Sequence, residues 1–277
     1  MQGNVEIQKN LIYDISMMSL EEEKMKPVTV RNVTIGEGIP KICVPIVGVT
    51  VEEILESAKV IRELPIDIVE WRADWYEGVL EFEKVEEVLS RLRKILGEIP
   101  ILFTFRTICE GGRKELRKEE YLTLNEAVIK TGNADILDVE LFYDEEIVSR
   151  IIDSAHRQKV AVLASNHDFQ KTPPKEEIVR RMQSMQDVGA DILKIAVMPQ
   201  NKKDVIALLE ATEEMTRQYA DRPVVAIAMS ELGIISRIAG ETFGSAITFG
   251  AVGKTSAPGQ IPVHELKEVL DTLHHTL

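Results

Sequence analysis

The chain has 277 residues, 44% hydrophobic and 29% charged, with a formal net charge of −13, a composition that suits a globular protein with a sizeable core. That acidity argues against nucleic acid and anionic membrane surfaces as partners, and any anionic ligand must be caught by cations inside a pocket. Two cysteines, Cys43 and Cys109, make neither a disulfide framework nor a structural zinc site, and the longest apolar runs are strand-sized, so the chain reads as cytoplasmic and not membrane-spanning.

Residues 1–25 contain an apolar patch, Leu11-Ile12-Tyr13, but no basic n-region and no small-residue cleavage site. They read as a flexible extension rather than a signal peptide, and residues 26–277 as a single domain. Val28-Thr29-Val30 and Val33-Thr34-Ile35 flank Arg31-Asn32, which predicts a short hairpin. Apolar strand-like runs then follow at 41–47, 66–73, 100–106, 135–141, 160–167, 191–198, 224–230 and 247–252. Between them lie stretches of helical period rich in Glu, Lys, Leu and Ala, among them 51–64, 82–97, 175–187 and 201–218. Repeated βα units demand parallel strands with right-handed crossovers. Eight units predict a closed (β/α)8 barrel, with an open doubly wound sheet as the alternative, and the hairpin is expected to cover the barrel's N-terminal mouth.

A strand turns successive side chains to opposite faces. Val69 and Trp71 therefore oppose Glu70 and Arg72, while Ile101, Phe103 and Phe105 oppose Thr104 and Arg106. Leu137, Val139 and Leu141 oppose Asp138 and Glu140; Ser165 and His167 share a face; and Leu193, Ile195 and Val197 oppose Lys194. The apolar faces pack under helices, which sends the ionisable ones into the barrel. Burying unpaired charge costs several kcal/mol, roughly, so these groups are either a structural ion network or an active site. Their drift toward the C-terminal ends of the strands favours the second reading.

Lys194 sits mid-strand with the small Ala196 two positions on. Desolvation and nearby Arg and His cations are expected to favour its neutral amine, which can attack a ketone and form an iminium. The plainer reading pairs Lys194 with Glu140 or Asp138. His167 ends the neighbouring strand and suits the proton transfers that imine chemistry needs. Other lysines and histidines fall on loops or helical surfaces, and no His/Asp/Glu spacing, GxGxxG or P-loop points to a metal or nucleotide.

Seven segments carry a resemblance: Glu70-Trp71-Arg72, Phe103-Thr104-Phe105-Arg106, Glu110-Gly111-Gly112, Ser165-Asn166-His167-Asp168-Phe169, Lys194 through Gln200, Ile235-Ser236-Arg237 and Ser256-Ala257-Pro258-Gly259-Gln260. In this order they resemble the type I 3-dehydroquinate dehydratases of the shikimate pathway, from about residue 26 to the C-terminus. The resemblance implies a barrel, homodimeric as a rule, that converts 3-dehydroquinate to 3-dehydroshikimate without metal or coenzyme. Under it, Lys194 forms the imine, His167 is the general acid/base and Glu110 pairs with the histidine. Arg237 binds the substrate carboxylate, and Glu70, Arg72, Arg106, Ser256 and Gln260 fall at substrate-contacting positions. The stretch from Gly253 to Gln260 is then a lid. Position 45 is proline where some members carry serine. A class I aldolase and a non-catalytic ligand-binding barrel are the competing readings. The first calls for a phosphate site of backbone amides after the late strands, where this chain has Arg237 and Ser-Ala-Pro-Gly-Gln; the second would tolerate loss of Lys194 or His167.

Overall fold

In the computed structural model, which describes residues 25–253 and 258–277, β1 (Val28–Val30) and β2 (Val33–Ile35) form the expected antiparallel hairpin. Its two-residue turn needs a positive φ, which Arg31 adopts at 53°. The same arginine ties the hairpin down, donating from Nε to Asp135 at 2.6 Å and from Nη1 to Glu98 at 3.1 Å. The extension expected over residues 1–25 lies outside the described residues apart from Met25.

Eight parallel strands follow: β3 (Lys41–Ile46), β4 (Ile68–Arg72), β5 (Ile101–Thr104), β6 (Ile136–Glu140), β7 (Ala161–Asp168), β8 (Ile192–Val197), β9 (Val224–Ala228) and β10 (Ile247–Ala251). From β3 to β9 each pairs with the next in chain order, and β10 pairs with β3. A bridge between Val224 and Ser245 and the bond from Ala246 N to Val224 O at 2.7 Å close the ring between β9 and β10. The two-residue β11 (Ile261–Pro262) adds to β10 on the outside of this seam.

The crossovers are α1 (Val51–Ile61), α2 (Phe82–Leu96), α3 (Lys118–Thr131), α4 (Glu145–Arg157), α5 (Lys175–Asp187) and α6 (Lys202–Glu214), then the short α7 (Ile234–Ile238) and α8 (Gly240–Phe243), and finally α9 (Val263–His274). Their starts are set by side chains that satisfy first-turn amides: Thr50 accepts from Glu53 N, Asp144 from Ile147 N and Asn201 from Lys203 N. The apolar stripes of α2 (Val85, Val88, Leu89, Leu92) and α4 (Ile147, Val148, Ile151, Ile152) pack in one cluster with the outward strand residues Val69, Trp71, Phe103, Val139 and Ile195. No helix among the described residues is long and apolar enough to cross a membrane.

Inside the ring the strands change character along their length. Near their N-terminal ends Ile68, Leu102, Ile136, Leu163, Ile192 and Val225 meet one another and the hairpin residues Val30 and Ile35 in a second apolar cluster. This plug closes the N-terminal mouth, and Ile35 alone, fully buried, contributes about 2 kcal/mol of transfer free energy. Two residues further along β4 to β8 the inward positions turn polar, while on β9 Ile227 keeps the interior apolar.

Candidate active site

The inward positions above the plug are Glu70 and Arg72 on β4, Thr104 on β5 with Arg106 just beyond it, Asp138 and Glu140 on β6, Ser165 and His167 on β7, and Lys194 on β8. They line or support a cleft that Arg237 from α7 and Gln260 also face. Strand pairing sets Lys194 level with Ser165 and His167 level with Ala196, so imidazole and amine stand on adjacent strands at the C-terminal mouth.

Lys194 is 4% exposed. Its Nζ lies 3.5 Å from Asp138 Oδ2 and 4.0 Å from Glu70 Oε1, and 4.5 Å from the centre of the Phe249 ring. Arg72, Arg106 and His167 share the cleft with Lys194, as expected from sequence, but the groups that stand against the amine itself are carboxylates and an aromatic face, and the pairing with Asp138 belongs to the plainer reading of this lysine. Glu140, the other partner considered for it, is taken by Arg106 at 3.0 Å and by the Thr107 amide and hydroxyl at 2.8 and 2.7 Å.

Arg106 is the hub of the buried network. Its Nη2 donates to Asp138 at 2.6 Å, and its Nη1 to Glu140, to Ser165 Oγ at 2.9 Å and to Glu110 at 3.4 Å. Ser165 in turn donates to Asp138 at 2.7 Å. Facing several anions, Arg106 is held fully charged against the cost of burial. Arg72 is likewise committed, forking onto Asp74 at 2.7 and 2.8 Å. Both arginines reach the cleft, each already held by carboxylates of the protein.

Glu110 arrives on the single-turn segment Ile108–Glu110 after β5. The turn is tight enough that a Cβ on Gly112 would lie 1.8 Å from the Arg106 carbonyl oxygen, so only glycine permits it. Glu110 Oε2 meets His167 Nδ1 at 2.9 Å and accepts the His167 backbone N–H at 3.0 Å, while Oε1 accepts from Asn166 Nδ2 at 3.0 Å. Burial, with Glu140 and Asp138 adding to it, pushes the Glu110 carboxyl up to about 8 against the pull of Arg106 and the Asn166 amide. Burial also pushes the His167 ring well below its usual value, with Arg106, Lys194 and Arg72 contributing. Joined by one hydrogen bond, the two groups titrate as a pair. With its extra proton the pair keeps an N–H at Nε2; on losing it, Glu110 is a carboxylate, Nδ1 keeps its hydrogen and Nε2 offers a lone pair. Such a pair can give and take protons around neutrality.

Arg237 differs from the other two arginines. It is 1% exposed, its Nη2 donates to the Pro258 carbonyl at 2.9 Å, and among the described residues Nε and Nη1 have no hydrogen-bond partner. Burial pushes it down to about 10. A buried cation with open donors facing a cleft is a receptor for an anion.

The structure thus brings Lys194, His167, Glu110, Glu70, Arg72, Arg106, Arg237 and Gln260 to one cleft. Ser256 and half of the expected lid, residues 254–257, lie outside the described residues. Sequence reasoning gave no role to Asp74 or Asn166 as the partners that fix Arg72 and Glu110, and it offered Asp138 for Lys194 only beside Glu140. Asp138 was legible as an inward residue, while nothing in the sequence linked Asn166 to Glu110. Cys43 is buried and Cys109 exposed, both free.

Fold and site together define a (β/α)8 barrel of the enzyme kind, with reactive groups at the carboxyl ends of its strands. Residues 42–276 match the family model of type I 3-dehydroquinase, and the chain belongs to that family. It is 52% identical over 252 residues to the 3-dehydroquinate dehydratase of Clostridioides difficile (strain 630), covering 91% of this chain and 99% of that one, and 53% identical over 252 residues to that of Bacillus licheniformis, with the same coverage. The crystal structure of a type I 3-dehydroquinate dehydratase from Clostridium difficile with covalently modified comenic acid superposes with a TM-score of 0.90, at 52% identity over 91% of this chain and 100% of that one. The enzyme from Aquifex aeolicus, 29% identical, superposes at 0.70 over 84% of this chain and 98% of that one.

Proposed function

We propose that this protein dehydrates 3-dehydroquinate to 3-dehydroshikimate through an imine on Lys194, with the His167–Glu110 pair moving the protons. One observation carries the reading: a buried amine, an imidazole–carboxylate pair and the open donors of Arg237 face the same cleft. The covalently modified comenic acid of the Clostridium difficile relative is, like 3-dehydroquinate, built on a cyclic ketone bearing a carboxylate. Arg237, rather than a cluster of backbone amides, favours a carboxylate ligand over the phosphate of an aldolase substrate.

The unprotonated Lys194 amine adds to the ketone, and the carbinolamine loses its oxygen as water with a proton from His167 Nε2. The resulting iminium acidifies the adjacent carbon. Nε2, now a base, removes the C2 proton, and the electron pair runs into the iminium to give an enamine. The enamine expels the C1 hydroxyl, which leaves as water with the proton on Nε2. Hydrolysis of the conjugated iminium returns the enone and the free amine. The sequence is redox-neutral, and its net change is the loss of one water. Arg237 holds the carboxylate, while Glu70, Arg72, Arg106, Ser256 and Gln260 contact the rest of the ring. This reading places the protein in the shikimate route to aromatic amino acids, in the cytoplasm and as a homodimer. The exposed apolar side chains Ile206, Leu232, Ile234 and Ile235 around α6 and α7 support a subunit contact there.

Intact mass after mixing with 3-dehydroquinate and borohydride tests the imine. A reduced adduct mapping to Lys194, absent in Lys194→Ala, is expected; an adduct that survives the substitution moves the nucleophile elsewhere, and no adduct at all in the native protein removes the mechanism.

A further inference from the structure

Asn166 stands between the His167–Glu110 pair and a residue that lies outside the cleft. Its Nδ2 donates to Glu110 Oε1 at 3.0 Å, and its Oδ1 accepts from Arg181 Nη1 at 2.9 Å. An amide side chain has a donor end and an acceptor end of nearly equal shape, so its direction is set by its neighbours. On the Glu110 side the neighbour is a carboxyl group that can present either a lone pair or a proton. On the other side it is a guanidinium, which only donates. Arg181 therefore decides the matter: Oδ1 must face outward, and Nδ2 must face Glu110.

Arg181 is itself fixed. It projects from α5, where its Nε donates to Glu177 one turn earlier at 2.8 Å, and Asp168 lies 3.9 Å from Nη1. Its side chain is 18% exposed, so the donor is shielded without carrying the cost of full burial. Arg180 alongside it, 60% exposed, also holds Glu177 but makes no bond to Asn166.

We propose that Arg181 is a positioning residue for the acid/base pair: by fixing the direction of the Asn166 amide it keeps a donor on Glu110, and so keeps the proton of the His167 ring on Nδ1 and the lone pair on Nε2. The proposal rests on the reading of His167 as acid/base given above. The other charges facing the pair are Arg106 beside Glu110, Asp138 and Glu140 from β6, Lys194 from β8, Arg72 from β4 and Asp168 next to the histidine. None of these touches Asn166 in the hydrogen-bond network, so removing Arg181 alters the pair through the amide and, more weakly, by taking a positive charge from beside Asp168. A freed amide can turn its oxygen toward Glu110, which removes a donor from the carboxylate and sets a lone pair against it.

The test compares pH profiles of kcat and kcat/KM for native protein, Arg181→Met, Arg181→Lys and Arg180→Met. In Arg181→Met the pH at which the base form appears is expected to rise by about half a unit to one unit. At pH 7 kcat should fall roughly 3- to 10-fold, recovering toward the native value at pH 9, with KM little changed. Arg181→Lys keeps a donor and should restore most of the native profile, and Arg180→Met should match native throughout. In an Asn166→Ala background, Arg181→Met should add nothing further. A profile in Arg181→Met that is scaled down without moving, or a loss carried by KM, overturns the positioning role. Failure of the underlying reading shows separately, as native protein that neither dehydrates 3-dehydroquinate nor gives the borohydride adduct on Lys194.

Discussion

The two halves of the barrel interior are made by the same strands and obey opposite rules. In the lower half Ile68, Leu102, Ile136, Leu163 and Ile192 close against the hairpin with no polar atom to satisfy. Two residues further along those strands stand Glu70, Thr104, Asp138, Ser165 and Lys194, all buried. The lower half gains free energy from transfer out of water and from close packing. The upper half spends it, since each ion there is desolvated and recovers the cost only through a partner. Most have one: Arg72 has Asp74, while Arg106 has Asp138 and Glu140. Arg237 is the exception, with two donors lacking partners among the described residues. A fold that tolerates such a cost at one residue has left a place for a ligand to complete.

Arg237→Met breaks this comparison at its sharpest point. The variant keeps the volume and removes a buried cation whose donors are not fully satisfied, so it should be as stable as the native protein or gain about 1 kcal/mol. Its kcat/KM should fall about 10²- to 10³-fold, near 3–4 kcal/mol, chiefly through KM, because a carboxylate far from the reacting carbons is bound alike in ground and transition states. Thermal melts and steady-state kinetics on one preparation decide it. A variant that loses stability along with activity would show that the arginine is a structural strut.

The lower half breaks the other way. Leu163 is fully buried in the plug and sits two residues before Ser165. Leu163→Ala should cost about 3 kcal/mol of folding free energy in a denaturant titration, with kcat within about twofold of native. A parallel collapse of kcat would mean that packing in the plug sets the geometry of the network above it, and that the two layers are not separable.

Much of this division was legible in the sequence because the strand period of two leaves no freedom. Once 66–73 and 191–198 read as strands, Glu70, Arg72 and Lys194 had to share a face opposite Trp71 and Ile195, and they do. The helical stretches read at 51–64, 82–97, 175–187 and 201–218 followed from their periodicity, and the structure has helices at 51–61, 82–96, 175–187 and 202–214. Partner choice did not follow. Which carboxylate meets Lys194 depends on the stagger between β6 and β8, two strands apart in the ring, and stagger leaves no trace in either segment. For that reason Asp138 and Glu140 stood as equal candidates, while Asp138 and Glu70 are the carboxylates that meet the amine. Arg72 turned to Asp74 because the chain enters a single helical turn at Ala73, a bend too short to show in a periodicity. Arg181 was silent for a further reason: on a solvent-facing helix rich in Arg and Glu, one arginine reads like the next, and only the fold sets this one against Asn166.

The smallest effect concerns the Glu110–His167 pair, where burial and hydrogen bonding pull the carboxyl in opposite directions. Burial raises Glu110 to about 8 in the folded protein from an ordinary value of 4.5. A group raised on folding lends stability that is complete below its unfolded value and lost as pH climbs through the folded one. His167, pushed down from 6.5, has the opposite sign: its contribution is complete above the unfolded value and fades as pH falls. Glu110→Gln removes the first of these. Its amide nitrogen must also meet the Asn166 donor or the His167 ring, a cost that is nearly the same at every pH. Melts at pH 5.5, 7 and 9 separate the two effects: the variant should gain on native protein between the first and the last by about 1 kcal/mol or more, roughly 2–4 °C in Tm. A constant gap, or one that closes in the other direction, would mean that Asn166, the His167 amide and Arg106 hold Glu110 ionised throughout. The pair would then enter the reaction already poised as a base, and its acid step would draw a proton from elsewhere.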